Sequence, residues 1–260
     1  RANVALGQAA APAEPATKRF SDSSLEVAAA SALPSASPAS RKKDHVMAEI
    51  IKTEEDYVRD LEECMDLYMK ALDSPDTPAS LKAHKETIFS NISQLHAFHA
   101  DTFLKELRSY TSLPEDVGHL FIGWQHSFQL YVTYCRNKEL SNQLVTQGQA
   151  KNFFHSVRES KGLDSAKDIE WYLIKPVQRI TKYTLLLKEL LSACDDEREG
   201  AEIAEAAEVI RAVPRRANDL IHLSALQGFS DKHNLGEILL QDSLTVWEPR
   251  PRGQLMAKKS

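Results

Sequence analysis

The stretch WYLIKPVQRITKYTLLLKEL, Trp171–Leu190, has two side-chain stripes at helical spacing. The first is apolar and predicts the face that packs into a core; its members are Val177, Ile180, Leu187 and Leu191. The second stripe, Gln178, Lys182 and Leu185, follows the i, i+4, i+7 rule. A leucine between polar residues on an outward stripe is typical of a protein-binding groove. Periodicity alone is equally consistent with Leu185 widening the core face.

The same periodicity extends in both directions and predicts a chain made of helices. The first helix runs from about Lys43 to the breaker Ser74-Pro75, and further helices are expected at about 79–110, 114–136, 139–160, 165–194 and 199–229. The predicted breaks are Pro114, Arg136-Asn137-Lys138 and Lys161-Gly162; Pro176 and Pro214 should kink or restart their helices, and Gly228-Phe229 should end the last one. No strand alternation occurs between 43 and 230. The prediction is an all-α, elongated helical bundle with mostly antiparallel neighbours.

The two ends of the chain have a different character. Residues 1–40 consist largely of Ala, Ser and Pro, so they bury too little apolar area to offset the entropy of ordering, and we expect a disordered linker. The helical domain is assigned to residues 41–230. Within 231–260, Glu237–Gln241 and Leu244–Trp247 are short apolar runs typical of strands. Two strands are not stable alone, so this part is interpreted as the truncated start of a β-rich domain.

Composition restricts the functional classes. The 37 acidic and 32 basic residues give a net charge of -5, which is too balanced for a general nucleic-acid binder. We find neither an apolar run long enough for a membrane helix nor a secretory leader. Cys64, Cys135 and Cys194 stand far apart, as expected of reduced thiols rather than disulfides or a zinc site. These features favour a soluble cytoplasmic protein.

Two further segments place polar residues on helix faces. In MAEIIKTEEDYVRDL, Met47–Leu61, Glu49 shares a face with His45, Lys52, Thr53 and Asp56, for which a solvated surface is the ordinary interpretation. In VPRRANDLIH, Val213–His222, Asn218 lies one turn from His222 and beside Asp219. Asn218 by itself would be a surface amide or a cap after Pro214.

Together and in this order, the three segments resemble the three conserved regions of the Dbl-homology (RhoGEF) domain. The matching motifs are TEEDYVRDL at Thr53–Leu61, LIKPVQRITKYTLLLKEL at Leu173–Leu190 and PRRAND at Pro214–Asp219. The resemblance covers about Arg41 to Phe229 and continues into a pleckstrin-homology start at Gly236–Trp247. LPEDVGH at Leu113–His119 and YVTYCRNK at Tyr131–Lys138 resemble most the Trio and kalirin type of first exchange domain.

The resemblance implies a guanine-nucleotide exchange factor for a Rho-family GTPase, with the Rac or RhoG type favoured. Such a protein performs no covalent chemistry and needs neither cofactor nor metal. The implied GTPase-binding residues are Glu49, Thr53, Gln178, Lys182, Leu185, Asn218, Asp219 and His222. Glu49 matches a residue that engages switch I, and Lys182 and Asn218 match residues that contact switch II; Leu185 matches a position that discriminates among GTPases. We expect the domain to be a monomer that regulates the cytoskeleton, cell migration and axon guidance. Weak recruitment to the plasma membrane would come from the missing pleckstrin-homology domain.

Two other classes compete with this interpretation. A spectrin-like or repeat scaffold would also have long amphipathic helices, but we detect no fixed internal period. A hydrolase would need an elbow, zinc or phosphate-loop motif, and none occurs. His96 and His99 have i, i+3 spacing without further metal ligands, so packing or surface roles are expected for both.

Overall fold

A computed structural model describes residues 38–228, together with Ile238, Thr245–Trp247 and Lys258–Lys259. The linker assigned to 1–40 lies outside these residues except for its last three, which are helical. Helix α1 spans Pro38–Cys64 and continues through a π-helical turn at Met65–Met69 and a 3-10 turn at Lys70–Asp73. The predicted first helix is therefore confirmed, and it begins about one turn earlier than the apolar pattern indicates.

The predicted helix at 79–110 is not continuous. It consists of α2 (Ala79–Lys82), α3 (Lys85–Phe89), α4 (Ile92–Ala97), a π-helical turn at Phe98–Phe103 and α5 (Leu104–Ser109). Ser90 has a φ of 49°, in the left-handed region that ends a right-handed helix. The side chain of Asn91 then donates to the carbonyl of Leu130 at 3.0 Å. Local conformation and a tertiary hydrogen bond explain this break.

The middle of the chain corrects one predicted break and contains two interruptions that the periodicity does not predict, after Gly123 and after Val145. After a 3-10 turn at Pro114–Asp116 come α6 (Val117–Gly123), a 3-10 turn at Ser127–Gln129, α7 (Leu130–Val145) and α8 (Gly148–Ser160). The predicted break at Arg136-Asn137-Lys138 is wrong, because α7 runs through it. Asn137 donates to the carbonyl of Thr87 and Lys138 donates to Asn142, so tertiary and local hydrogen bonds satisfy these polar residues inside the helix. The break at Lys161-Gly162 is confirmed, with φ of 63° at Gly162.

The remaining helices are α9 (Ile169–Leu173), α10 (Lys175–Leu191) and α11 (Glu197–Ala225). Pro176 lies in the first turn of α10, so the predicted restart is confirmed there. Pro214 does not restart its helix, since α11 continues through it. This helix ends at Ala225, three residues before Gly228. Beyond it, β1 (Val246–Trp247) pairs antiparallel with β2 (Lys258–Lys259), and β1 overlaps the predicted strand at Leu244–Trp247.

The domain is thus all-α between 38 and 228, and α10 packs against both α1 and α11. Its centre contains an aromatic cluster in which edge and tilted ring contacts dominate, namely Phe98, Phe103, Phe121, Phe128, Tyr131 and Tyr183. Within the described residues, no buried side-chain nitrogen or oxygen lacks a hydrogen-bond partner. No helix in this part of the chain is long and apolar enough to cross a membrane.

Candidate functional site

The packing of α1 on α10 brings Glu49 and Lys182 together. Lys182 Nζ donates to Glu49 Oε1 at 2.9 Å, although the two residues are 133 positions apart in the sequence. Their side chains remain 39% and 40% exposed, so solvent and a partner protein can reach them. The hydrogen bond from Lys182 lowers the pKa of Glu49, assisted by the charges of Lys182 and His45. Two motifs that the sequence shows separately therefore form one surface pair.

Thr53 lies one turn after Glu49 and is half-buried. Its hydroxyl donates to the carbonyl of Glu49 at 2.8 Å. Gln178 is exposed on α10, and Thr53, Gln178 and Lys182 line a shallow pocket of about 190 Å³ between the helices. The other residues of this pocket are Asp56, Tyr57, Asp60, Lys175 and Arg179. The pocket is thus lined mainly by polar residues and by charges of both signs.

Leu185 lies outside the core. Its side chain is 63% exposed, whereas Leu187, two residues later on the same helix, is fully buried. The alternative in which Leu185 widens the core face is therefore wrong. Isolated exposed leucines are common, but this one continues the stripe of Gln178 and Lys182.

Asn218, Asp219 and His222 lie on α11, which packs against α10. Asn218 and His222 are exposed and Asp219 is partly buried. None of these three side chains hydrogen-bonds or ion-pairs with another residue in the described part of the chain. Asn218 lies inside α11 rather than at its start, so it is a surface amide and not a cap. The structure brings Glu49, Thr53, Gln178 and Lys182 together, and no hydrogen bond or ion pair joins the three α11 residues to them among the described residues.

The structure also contains a buried polar cluster that the sequence patterns did not indicate. Glu54 is completely buried and accepts from Arg179 Nε at 2.9 Å and from the Tyr183 hydroxyl. His99 Nδ1 lies 2.6 Å from Glu54 Oε1, and His99 Nε2 lies 2.9 Å from the Tyr131 hydroxyl. The cluster connects α1, the π-helical turn at Phe98–Phe103, α7 and α10. The packing role expected for His99 is confirmed.

Burial alone would raise the pKa of Glu54, because the charged form loses its hydration. The positive charge of Arg179 and the hydrogen bonds from His99 and Tyr183 outweigh burial and lower this pKa to about 2. Glu54 is therefore a buried carboxylate. One sequence signal could have revealed it: Glu54 follows Ile50 by four residues and precedes Tyr57 by three, which places a charge on the core face of α1.

The fold and the site define an all-α domain in which the packed helices α1 and α10 form one surface with both polar and apolar side chains. The family model that describes the RhoGEF domain matches residues 46–218. The chain therefore belongs to the RhoGEF, or Dbl-homology, family. Of the described residues, no group of three or more His, Cys, Asp or Glu is arranged to hold a metal ion.

Known relatives agree with this assignment. The chain is 36% identical over 225 residues to the human guanine nucleotide exchange factor DBS, covering 83% of this chain and 19% of that protein. It is 35% identical over 216 residues to human Rho guanine nucleotide exchange factor 25, covering 82% of this chain and 37% of the relative. The chain thus spans only a minor part of these relatives.

Solved structures show the same fold. A structure of the Vav1 exchange factor with its PH and C1 domains is 26% identical, with a TM-score of 0.61 over 72% of this chain and 51% of that one. The NMR structure of an autoinhibited Dbl-homology domain is 28% identical, with a TM-score of 0.56 over 68% of this chain and 86% of that one. The described helices therefore correspond to a Dbl-homology domain.

Proposed function

We propose that this chain is a guanine-nucleotide exchange module that binds a Rho-family GTPase and accelerates its release of GDP. The observation that supports this most directly is the exposed Glu49–Lys182 pair, held at 2.9 Å on adjacent helices of a RhoGEF domain. The relatives named above are exchange factors, which agrees with the same role here.

The proposed mechanism requires no covalent step. An exchange factor accelerates GDP release by binding the nucleotide-free GTPase more tightly than the GDP-bound form, and each 1.4 kcal/mol of that difference weakens nucleotide binding about tenfold. Glu49, with Thr53 beside it, would hold switch I in an opened position. Lys182 and Gln178 would contact switch II and disturb the sites of the phosphates and magnesium, which the GTPase itself supplies.

Asn218, Asp219 and His222 complete the proposed interface from α11. The side chains of Asn218 and His222 are exposed, and none of the three is engaged with other described residues, so their hydrogen-bonding groups are available to a partner. Loss of a buried hydrogen bond formed by Asn218 in the complex would cost about 1–3 kcal/mol.

Selectivity for the Rac or RhoG type is the finer part of the proposal. It rests on the resemblance of LPEDVGH and YVTYCRNK to the Trio and kalirin type of domain. Leu185 is the proposed discriminating contact, because it is a large exposed apolar side chain next to the charged pair. Extra apolar contact at such a position selects among partners that differ in one facing residue.

The proposed setting is a monomeric domain at residues 41–230 in the cytoplasm. A pleckstrin-homology domain starting in 231–260 would add weak membrane contact, and residues 1–40 would form a linker. The proposed role in cytoskeleton regulation, cell migration and axon guidance follows from the Rho-family partner alone.

The decisive experiment is release of fluorescent GDP from purified Rac-type, RhoA-type and Cdc-type GTPases by catalytic amounts of the 260-residue chain. We expect fast release from the Rac type, lost in Asn218→Ala and in Glu49→Ala. Asn152→Ala, an exposed asparagine on α8, is the matched control and should exchange like the wild type. Failure of a folded wild-type chain to accelerate any of the three would favour the helical scaffold instead.

A further inference from the structure

Arg179 is a buried guanidinium whose donors all point to one segment of α1. The residue is 4% exposed. Its Nε donates to Glu54 at 2.9 Å, its Nη1 to the Thr53 hydroxyl at 2.7 Å and its Nη2 to the carbonyl of Ile50 at 3.2 Å. These acceptors lie within the turn that follows Glu49. Arg179 therefore fixes this turn of α1 against α10 while almost all of its side chain is buried beneath the shallow pocket.

The hydrogen bond between Arg179 and Thr53 also fixes the direction of the next one. A guanidinium can only donate, so the Thr53 oxygen must accept from Arg179. The single hydroxyl proton of Thr53 is then left for the carbonyl of Glu49, which lies 2.8 Å away. The chain of donors thus runs from Arg179 through Thr53 to the backbone of Glu49.

Arg179 also lies close along α10 to Lys182, the other member of the surface pair. Lys182 follows Arg179 by three positions on α10, so the two side chains are neighbours on the helix surface. Arg179 therefore holds the helix that carries Lys182 against the turn of α1 that follows Glu49. The planar guanidinium can make these contacts simultaneously, whereas a lysine ammonium, a compact charge with three donors on one atom, cannot.

We infer that Arg179 is a positioning residue for nucleotide exchange, which acts through Thr53 on the Glu49–Lys182 pair. The inference rests on the proposed function, because it assumes that this pair contacts the GTPase. Arg179 does not touch the partner itself. Its contribution is the alignment of groups that do, and such alignment decides whether a preformed site has the geometry that its partner needs.

The test uses the full chain in three variants. Arg179→Lys keeps the positive charge opposite Glu54 but loses the planar guanidinium with its several donors. Thr53→Val keeps the side-chain shape but loses the hydroxyl. Thr53→Ser keeps the hydroxyl. The first measurement is the titration of the Glu49 carboxyl by carbon NMR in the free chain. We expect the pKa of Glu49 to return toward its ordinary value in Arg179→Lys and Thr53→Val, and to stay low in Thr53→Ser.

The second measurement is GDP release from the Rac-type GTPase. We expect exchange to fall about tenfold in Arg179→Lys and Thr53→Val, to be faster in Thr53→Ser than in Thr53→Val, and to stay at the wild-type rate in the Asn152→Ala control. Thermal unfolding of each variant separates misplacement from unfolding. If Arg179→Lys does not fold, the comparison of Thr53→Val with Thr53→Ser decides the question, since these two differ in the hydroxyl that relays the contact.

Two results would overturn the inference: an unchanged Glu49 titration in both Arg179→Lys and Thr53→Val, or a shifted titration with full exchange activity. A wild-type chain that releases no GDP from any of the three GTPases would instead overturn the proposed function. The titration would then still decide whether Arg179 positions the surface pair.

Discussion

Glu54 links the stability of the domain to pH. In the folded chain its pKa is lowered from 4.5 to about 2, because a buried guanidinium and two hydrogen bonds stabilise the carboxylate. A lowered pKa means that the folded state holds its proton less tightly than the unfolded state does. The associated stability is present above the ordinary pKa and is lost as pH falls toward 2.

We therefore expect the free energy of unfolding to fall by ~3 kcal/mol through Glu54 alone between about pH 5 and pH 2. Urea unfolding across this range measures the effect. Glu54→Gln should be less stable at neutral pH, because Arg179 loses its partner, and its profile should be flatter. Glu62→Gln, an exposed glutamate on α1, should keep the wild-type profile. Equal acid slopes for wild type and Glu54→Gln would contradict the assignment.

Leu185 and Leu187 provide a matched pair on α10, since one is exposed and the other is fully buried. Leu187→Ala should lower the free energy of unfolding by about 2–5 kcal/mol through the cavity that it leaves. Leu185→Ala should change it by less than ~0.5 kcal/mol and instead alter the ratio of exchange rates among the Rac, RhoA and Cdc types. Chemical unfolding and the GDP-release assay measure the two quantities. A destabilisation of similar size in both variants would show that Leu185 is a core residue.

At this scale the sequence predicted well which residues of α10 face outward. Periodicity predicts a core face of Val177, Ile180, Leu187 and Leu191, of which Ile180 and Leu187 are buried and the other two are partly buried. It leaves two positions open for Leu185, and the structure places this side chain on the surface. The Glu54–Arg179 pair was missed because its members are 125 positions apart and each is a charged residue in an otherwise ordinary helical pattern. Only tertiary packing shows that both are buried together.

Among the helices, the contact of α6 with α11 depends on Gly118. A Cβ atom at this position would lie 2.7 Å from the backbone carbonyl carbon and oxygen of Glu202. Backbone cannot move aside as a flexible side chain does, so the two helices can approach this closely only without a side chain there.

Gly118→Ala should therefore destabilise the domain by about 1–3 kcal/mol through overpacking. Gly123 at the end of the same helix is the control, because a Cβ there would meet nothing within 4 Å. Gly123→Ala should be neutral or slightly stabilising, since alanine has the higher helix propensity. The melting temperatures of the two variants measure the difference. An unchanged melting temperature in Gly118→Ala would mean that α6 and α11 can move apart without loss of stability.

The sequence predicts some helix boundaries correctly and others wrongly. Proline and glycine signals located the start of α10 and the end of α8 correctly. The polar segment Arg136-Asn137-Lys138 predicts a break, and this prediction is wrong because Asn137 is satisfied by the carbonyl of Thr87, a tertiary contact that local composition does not show. The interruption at Ser90 was missed because serine gives no strong indication of a left-handed conformation.

For the whole molecule, the proposed function predicts a reversible complex of defined stoichiometry. We expect the chain to be monomeric alone and to form a 1:1 complex with nucleotide-free Rac-type GTPase. Added GTP or GDP should dissociate this complex, because the coupling between nucleotide and exchange factor is reciprocal. Size-exclusion chromatography with light scattering measures all three states. A complex that survives saturating nucleotide would contradict an exchange mechanism and favour a scaffold.

The Glu49–Lys182 pair is already closed in the free chain, with each charge satisfied by the other. If both groups contact the GTPase as proposed, Lys182 competes with the incoming partner for Glu49, and association replaces one ion pair with others of similar strength. The net gain is then a small difference between two comparable sets of contacts. A small net gain favours turnover, because the exchange factor must dissociate from the GTPase once a nucleotide has bound again. Glu49 and Lys182 can then pair with each other as they do in the free chain.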